Sequence, residues 1–325
     1  MRALITGAAG HLGEALARRL TARGDEVAGL DRLPSPFVTH LGDITDEDLV
    51  ARAMAGAEAV FHAATLHKPH VATHTKQAFI DVNVTGTRVL LDAAMRAGVR
   101  AFVFTSTTSV FGEAMNPAPG APAVWVDEAL APRPRNIYGA TKLAAEHLCG
   151  LARRESGLAT IVLRTSRFFP EEDDEPALAA AYAPDNLKLN EFLNRRGDIE
   201  DMVGGHLAAA ERAAEAGPGP FVITATTPFE RGDLAELAQD APAVLARRAP
   251  EYANLYARRG WRMFPTIGRV YINNAARAAL GWTPQHDFRA MLTRVASGRP
   301  PASDLALAIG AKGYHRQAND SVIAE

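Results

Sequence analysis

Met1-Arg2-Ala3-Leu4-Ile5-Thr6-Gly7-Ala8-Ala9-Gly10-His11-Leu12-Gly13 begins as an apolar run and breaks into three evenly spaced glycines. Residues 2–5 read as a buried parallel strand. Leu12, Leu16 and Leu20 then recur at i, i+4 and i+8, the inward stripe of a helix. Strand, glycine turn and helix together make a geometry for holding phosphate. Gly7 and Gly10 have no Cβ, so backbone can close on a pyrophosphate, and Gly13 lets helix pack on strand. The helix N-terminus adds free N–H groups and a partial positive charge, with His11 and Leu12 as neighbouring contacts. The spacing is G-x-x-G-x-x-G rather than G-x-G-x-x-G, which leans toward one branch of dinucleotide-binding proteins.

Working outward, residues 26–31 read as a second strand ending in Asp31, about 20 residues past the turn, where a ribose-binding acid is expected. Its carboxylate suits two ribose hydroxyls and repels a 2′-phosphate, which favours NAD over NADP. Arg32 follows at once and is counted with the cofactor contacts. Residues 37–41 read as a short third strand closing in Gly42-Asp43-Ile44, with Asp43 placed for an adenine amino group and Ile44 for the ring face. A fourth strand over 59–64 ends in Ala63 and Ala64, small enough for a cofactor to come close. A helix is expected over 47–54 and another over 77–97, the latter holding Asn83 as a further cofactor contact. Gly86 inside it costs about 1 kcal/mol relative to alanine and so implies a close neighbour. A fifth strand, 100–105, runs out into Thr105-Ser106-Thr107-Thr108-Ser109, a hydroxyl-rich end at the crevice where ligands of such sheets bind.

The chain has 325 residues, enough for about two domains. A net charge of −2 leaves no electrostatic footprint for nucleic acid. Cys149 is the only cysteine, so neither an intrachain disulfide nor a thiolate metal site is available. No run approaches the ~18 apolar residues of a membrane span, and no basic segment leads into an apolar one; a soluble cytoplasmic protein is expected. His67, His70 and His74 fall at i, i+3 and i+7, a pattern that raises zinc. Pro69 interrupts that face and no carboxylate lies in the run. No metal is expected there; the run reads as a solvated loop or as a substrate contact, with His67 the candidate.

Downstream, Tyr138 and Lys142 stand four apart at the start of a helix, on one face. An ammonium beside a phenol lowers the tyrosine pKa from about 10, which makes Tyr138 an acid/base for an alcohol or carbonyl. A sixth strand is expected over 159–164, after which β-α alternation ends. Arg167 follows with Phe168, Phe169 and an acidic run over 171–175, read as a solvated surface or a segment closing over substrate. Asp198 caps a helix expected to reach 216, and 220–225 reads as another strand.

As a set these residues resemble the extended short-chain dehydrogenase/reductase superfamily, of the NAD-dependent epimerase/dehydratase type. The match comprises Thr6-Gly7-x-x-Gly10-x-x-Gly13, Asp31, Gly42-Asp43-Ile44, His62-Ala63-Ala64, Asn83-x-x-Gly86-Thr87, the strand end from Thr105 to Gly112, Tyr138-x-x-x-Lys142, Arg164, the 196–201 segment and Leu280-Gly281-Trp282-Thr283-Pro284. The resemblance implies an α/β fold: a doubly wound parallel (Rossmann) sheet over 1–165, with 198–224 returning to it. It also implies a smaller α/β substrate domain from 166–197 and 225–315, followed by a tail, 316–325. It further implies a homodimer through helices near 77–97 and 138–156, and NAD as cofactor. Thr107 matches the hydroxyl that holds the substrate oxygen, Tyr138 the acid/base, and Lys142 the residue that binds the nicotinamide ribose. Where dehydratase relatives carry Asp-Glu after the catalytic threonine, this chain has Thr108-Ser109, which disfavours elimination. The sequence therefore points first to a nucleotide-sugar 4-epimerase, with a dehydrogenase of a sugar or other small alcohol as alternative and a dinucleotide sensor third. Thr108 and Arg167 join His67 as substrate contacts, Arg167 standing near the position where many sugar-nucleotide enzymes have asparagine.

Overall fold

A computed structural model describes residues 1–171 and 176–313. Within them the strands are β1 (Arg2–Thr6), β2 (Glu26–Asp31), β3 (His40–Leu41), β4 (Ala59–His62), β5 (Ala101–Thr107), β6 (Val124–Val126), β7 (Thr160–Thr165), β8 (Phe221–Ile223) and β9 (Arg269–Tyr271). Seven of them form one parallel sheet in the order β3-β2-β1-β4-β5-β7-β8. The order reverses between β1 and β4, and there the carboxyl ends of the strands open a crevice.

Alternation along the strands explains why both faces are covered. Ala3 and Ile5 of β1, Phe61, Val103 and Leu163 point to one side, where α1 (His11–Ala22) packs through Leu12, Leu16 and Leu20. Leu4, Val60, Phe102 and Phe104 point to the other, against α2 (Glu47–Met54), α4 (Gly86–Ala97) and α5 (Ile137–Ser156), while the short α3 (Lys76–Ile80) before α4 packs on α5 through Phe79 and Tyr138. Asn136 caps α5, its side chain accepting from Gly139 N at 3.0 Å, and so sets where the helix that carries Tyr138 begins.

Three expected elements differ. The third strand shrinks to His40–Leu41 because the chain at Phe37 passes over β2, where a Cβ on Gly29 would sit 1.8 Å from Phe37 O. The helix expected over 77–97 is broken by a π-helical turn, Asp81–Thr85, and α4 restarts at Gly86. The close neighbour implied by Gly86 is Ile44, whose Cδ1 lies 2.5 Å from the position of a Cβ there. The helix capped by Asp198 ends at Glu211 rather than 216.

The C-terminal half builds a second core. Helices α6 (Pro176–Ala181) and α7 (Pro184–Glu191) precede α8 (Ile199–Glu211), which returns to the main sheet beside α1. Leu187, Phe192, Phe229, Val244, Phe264, Phe288 and Met291 pack together away from that sheet. β6 pairs in parallel with β9, so residues 124–126, which precede the Tyr138 helix, lie with the C-terminal core.

Candidate active site

The glycine turn is held by contacts that exclude any side chain. Gly7 has φ +74°, and a Cβ there would lie 2.7 Å from Ala64 N. Gly13 is tighter: its Cβ would stand 2.0 Å from Gly7 O. Gly10 N donates to Gly7 O at 2.9 Å and leads directly into α1. Asp31, at the end of β2, accepts from Ala9 N and Leu33 N, each at 2.9 Å, so its carboxylate is locked at the rim of the turn. Arg32 turns back to Asp43, with Nε 3.5 Å from Oδ2, while Asp43 Oδ1 accepts from Thr45 N at 2.9 Å.

These groups border one cavity of about 520 Å³ that runs along the crevice. Its wall brings together Gly7, Gly10, His11, Leu12, Asp31, Arg32, Asp43, Ile44, Ala63, Ala64, His67, Thr105 and Tyr138, all expected at a site from the sequence. Other expected residues stand off the wall. Asn83 is buried and engaged by protein on every side: Oδ1 accepts from Leu66 N at 2.9 Å, and Nδ2 donates to Leu66 O at 3.0 Å and Thr141 Oγ1 at 3.1 Å. It holds the loop that carries Thr65 and Leu66 rather than facing the crevice itself. Arg167 turns toward Glu191, with Nε 3.9 Å from Oε2, and lies off the wall, as do the buried Thr107, Thr108 and Lys142.

At the reactive end the Tyr138 phenol stands on the cavity wall, and Thr107 Oγ1 accepts from Ser109 N at 3.0 Å. Lys142 is buried one turn further along α5 with Nζ 3.9 Å from the centroid of the Phe104 ring. The expectation that this ammonium depresses the tyrosine pKa is corrected. Burial pushes the Tyr138 phenol up to about 12, opposed only by the Thr107 hydrogen bond. Burial also drives Lys142 down to about 7, against the raising influence of Cys149 and Glu146. Desolvation is the largest cause for both groups: Lys142 is buried against Phe104 of the sheet, and Tyr138 is packed against Leu66 and Phe79. Glu146, one more turn on, is gripped by Arg164 (Nη2 to Oε2 2.7 Å) and accepts from Ser106 Oγ at 2.5 Å. Sequence reading missed Glu146, although its i+4 spacing from Lys142 and i+8 from Tyr138 is a usable signal.

Ser106, expected in the hydroxyl-rich strand end at the crevice, is on the wall; also missed as wall residues were Phe168, Phe169 and Thr165. Phe169 stacks on His67 with centroids 5.9 Å apart, and on Phe168 at 4.4 Å, so one flank of the cavity is aromatic. His67 N donates to His70 Nδ1 at 3.0 Å, and His70 packs on His74 at 5.0 Å. Among the described residues no three His, Cys, Asp or Glu side chains converge as metal ligands. Residues 172–175 of the acidic run lie outside the described residues. Glu171 is not a solvated surface group: it is buried, its Oε1 lies 2.8 Å from His11 Nε2, and it accepts from Lys312 N at 2.9 Å. Although burial works the other way, His11 and that amide hold its carboxyl down at about 2. Lys312 Nζ also pairs with Glu14, so the 168–171 and 310–313 segments are both fastened to the start of α1.

The donor set fits a dinucleotide on structural grounds: a turn where no Cβ fits, a helix N-terminus, and a carboxylate fixed at the ribose position. The profile of the NAD dependent epimerase/dehydratase family matches residues 3–224. The 3-beta-hydroxysteroid dehydrogenase of Mycolicibacterium neoaurum is 28% identical, covering 87% of this chain and 87% of that protein. A UDP-glucose 4-epimerase of Rhizobium meliloti is 26% identical, covering 89% of this chain and 94% of its own length. Among solved structures, a short-chain dehydrogenase/reductase superfamily protein from Agrobacterium tumefaciens with bound NAD superposes with a TM-score of 0.65 at 25% identity, covering 99% of this chain and 100% of that one. No helix among the described residues is long and apolar enough to cross a membrane. The glycine turn, the carboxylate at the end of β2 and the Tyr138/Lys142 pair thus sit in a chain that belongs to the NAD-dependent epimerase/dehydratase family, whose members are NAD-dependent enzymes.

Proposed function

We propose that the protein is a nucleotide-sugar 4-epimerase in which Thr107, Tyr138 and Lys142 carry the chemistry. The observation that carries this reading is that one cavity wall holds both the glycine turn and the Tyr138 phenol, with Lys142 one turn along the same helix. Bound NAD supplies a hydride acceptor for a carbinol carbon. Gly7, Gly10 and Asp31 hold the pyrophosphate and ribose, and Lys142 lies on the same helical face as Tyr138 to meet the second ribose. Thr107 Oγ1 would fix the substrate oxygen. The Tyr138 phenol, which burial keeps protonated without ligand, would release its own proton to solvent beside the positively charged nicotinamide, and the phenolate Oη would then take the hydroxyl proton as the C–O bond becomes a carbonyl and give it back on return. Thr108 and Ser109 offer no carboxylate for elimination, which leaves the redox step alone. His11 and Phe169 stand together on the wall beside the glycine turn, with the Glu171 carboxylate off the wall and paired to His11, an arrangement suited to keeping the dinucleotide bound between turnovers.

A second reading, net dehydrogenation of an apolar secondary alcohol, is favoured by the aromatic flank of His67, Phe168 and Phe169. One experiment separates them. The purified protein is mixed with UDP-glucose, UDP-galactose or a hydroxysteroid, and sugars and NADH are followed together. The proposal expects the other sugar epimer with no net NADH, and stoichiometric NADH with the steroid alone transfers the assignment to the second reading. Undiminished turnover in Tyr138→Phe sinks both.

We further propose a cytoplasmic homodimer through α4 and α5. Leu151 of α5 and Ile80 just before α4 are large apolar side chains exposed on one copy, at 40% and 39%. Leu151→Asp is expected to give a monomer by light scattering if this face pairs.

A further inference from the structure

A buried line of polar side chains runs beneath the glycine turn, and simple proton counting fixes its direction. Thr87 Oγ1 lies 2.7 Å from Asn83 O, a carbonyl that can only accept, so the single hydroxyl proton of Thr87 is used there. The 2.9 Å contact between Thr87 Oγ1 and His62 Nε2 must then be a bond that the ring N–H donates. Burial keeps His62 well below its ordinary pKa of 6.5, with the charge of Lys142 adding to that effect, so the ring is neutral and Nδ1 is bare. Nδ1 accepts from Thr6 Oγ1 at 2.7 Å, and Thr6 Oγ1 in turn accepts from Ala64 N at 3.2 Å. At the other end, Asn83 Nδ2 donates to Thr141 Oγ1 at 3.1 Å, and that hydroxyl gives its proton back to the first turn of α5, 2.8 Å from Ile137 O and 3.1 Å from Tyr138 O. Every member is buried, and none lines the cavity.

The line links four elements, β1, β4, the helix around Asn83 and α5, and its two ends abut the two halves of the site. Ala64 is on the wall beside the glycine turn, and Tyr138 is on the wall at the reactive end. Apolar contacts would tolerate a small slide between these elements, whereas hydrogen bonds of fixed direction do not.

We propose that Thr6, His62, Thr87, Asn83 and Thr141 act as one set of positioning residues that fixes the helix of Tyr138 against the dinucleotide turn. The set works through geometry and touches neither cofactor nor substrate. The inference rests on NAD occupying the glycine turn and is independent of which alcohol is oxidised.

The test reads NAD affinity by calorimetry, without turnover, so a wrong substrate assignment leaves it standing. Thr141→Val keeps the volume and removes the hydroxyl. It is expected to weaken NAD binding by about fivefold from a position that never meets the cavity, the size of one lost buried hydrogen bond. Thr141→Ser should restore it. The double variant Thr6→Val/Thr141→Val should lose less than the product of the two single effects, because one break already frees the line. NAD affinity unchanged in a folded Thr141→Val, or an equal loss in Thr141→Ser, or fully multiplicative effects would each overturn the proposal. If the valine variants do not fold, nitrogen NMR of the wild-type holoenzyme decides: the His62 proton belongs on Nε2, and finding it on Nδ1 removes the basis of the line.

Discussion

Lys142 Nζ stands 3.9 Å from the centre of the Phe104 ring, so the amine one helical turn beyond the reactive phenol faces an aromatic surface inside the protein. Burial brings its pKa from 10.5 to about 7. Between those values the unfolded chain holds a proton that the folded chain lacks, so the contribution of this group to stability rises with pH from about 7 to 10.5. Below that window the folded protein carries a buried ammonium. Lys142→Met is therefore expected to stabilise the protein at pH 7 and below by ~1–4 kcal/mol, by analogy with apolar replacement of buried charges. It should also flatten the rise above neutrality while abolishing turnover. Urea melts across the pH series check this, and a destabilised Met variant would count against the burial argument.

A methyl group at position 13 meets Gly7 O at 2.0 Å, a distance at which the turn must move. Gly13→Ala is expected to cost ~1–3 kcal/mol of stability, as overpacking does. Because the displaced atom belongs to the phosphate turn, NAD affinity should fall further than stability alone accounts for. Calorimetry of NAD binding beside a thermal melt separates the two effects.

Asp31 takes two backbone N–H bonds, from Ala9 and Leu33, and these fix the carboxylate without neutralising its charge. Removing it with Asp31→Ala deletes both the acceptor for ribose hydroxyls and the repulsion against a 2′-phosphate. The ratio of NADP to NAD affinity should rise by at least about tenfold, equivalent to ~1.4 kcal/mol. An unchanged ratio in parallel titrations would show that Asp31 does not face the ribose.

His206 lies against the far side of Thr105, with Nε2 2.8 Å from the threonine hydroxyl and Nδ1 2.7 Å from Met202 O. Burial lowers its pKa from 6.5 to about 4, while the Met202 carbonyl works in the raising direction. As pH falls through 6.5 the unfolded chain takes up a proton that the folded one refuses, so stability is lost from about 6.5 down to about 4. The slope is about 1.4 kcal/mol per pH unit for each such histidine, and His62 adds a second. His206→Asn should be less stable at neutral pH and should lose stability less steeply with acid. Chemical melts between pH 4 and 7 measure both.

Much of the fold was written locally in the sequence. The glycine spacing at Gly7, Gly10 and Gly13, the strand-end Asp31, and the i, i+4 pair Tyr138 and Lys142 are each short-range patterns. Periodicities of strand and helix record which face is buried before any partner is known. The crevice wall followed because those patterns lie at the carboxyl ends of neighbouring parallel strands.

Tertiary structure alone decided the rest. It turned Arg167 to Glu191, buried Glu171 beside His11, and joined Val124–Val126 to Arg269–Tyr271 across more than a hundred residues. It also set the protonation of Tyr138 and Lys142, whose spacing predicted a lowered phenol pKa and whose burial gives a raised one. Spacing along a helix determines which side chains share a face; the loss of water around them depends on what packs over that face, and here that comes from strands and loops far away in the chain.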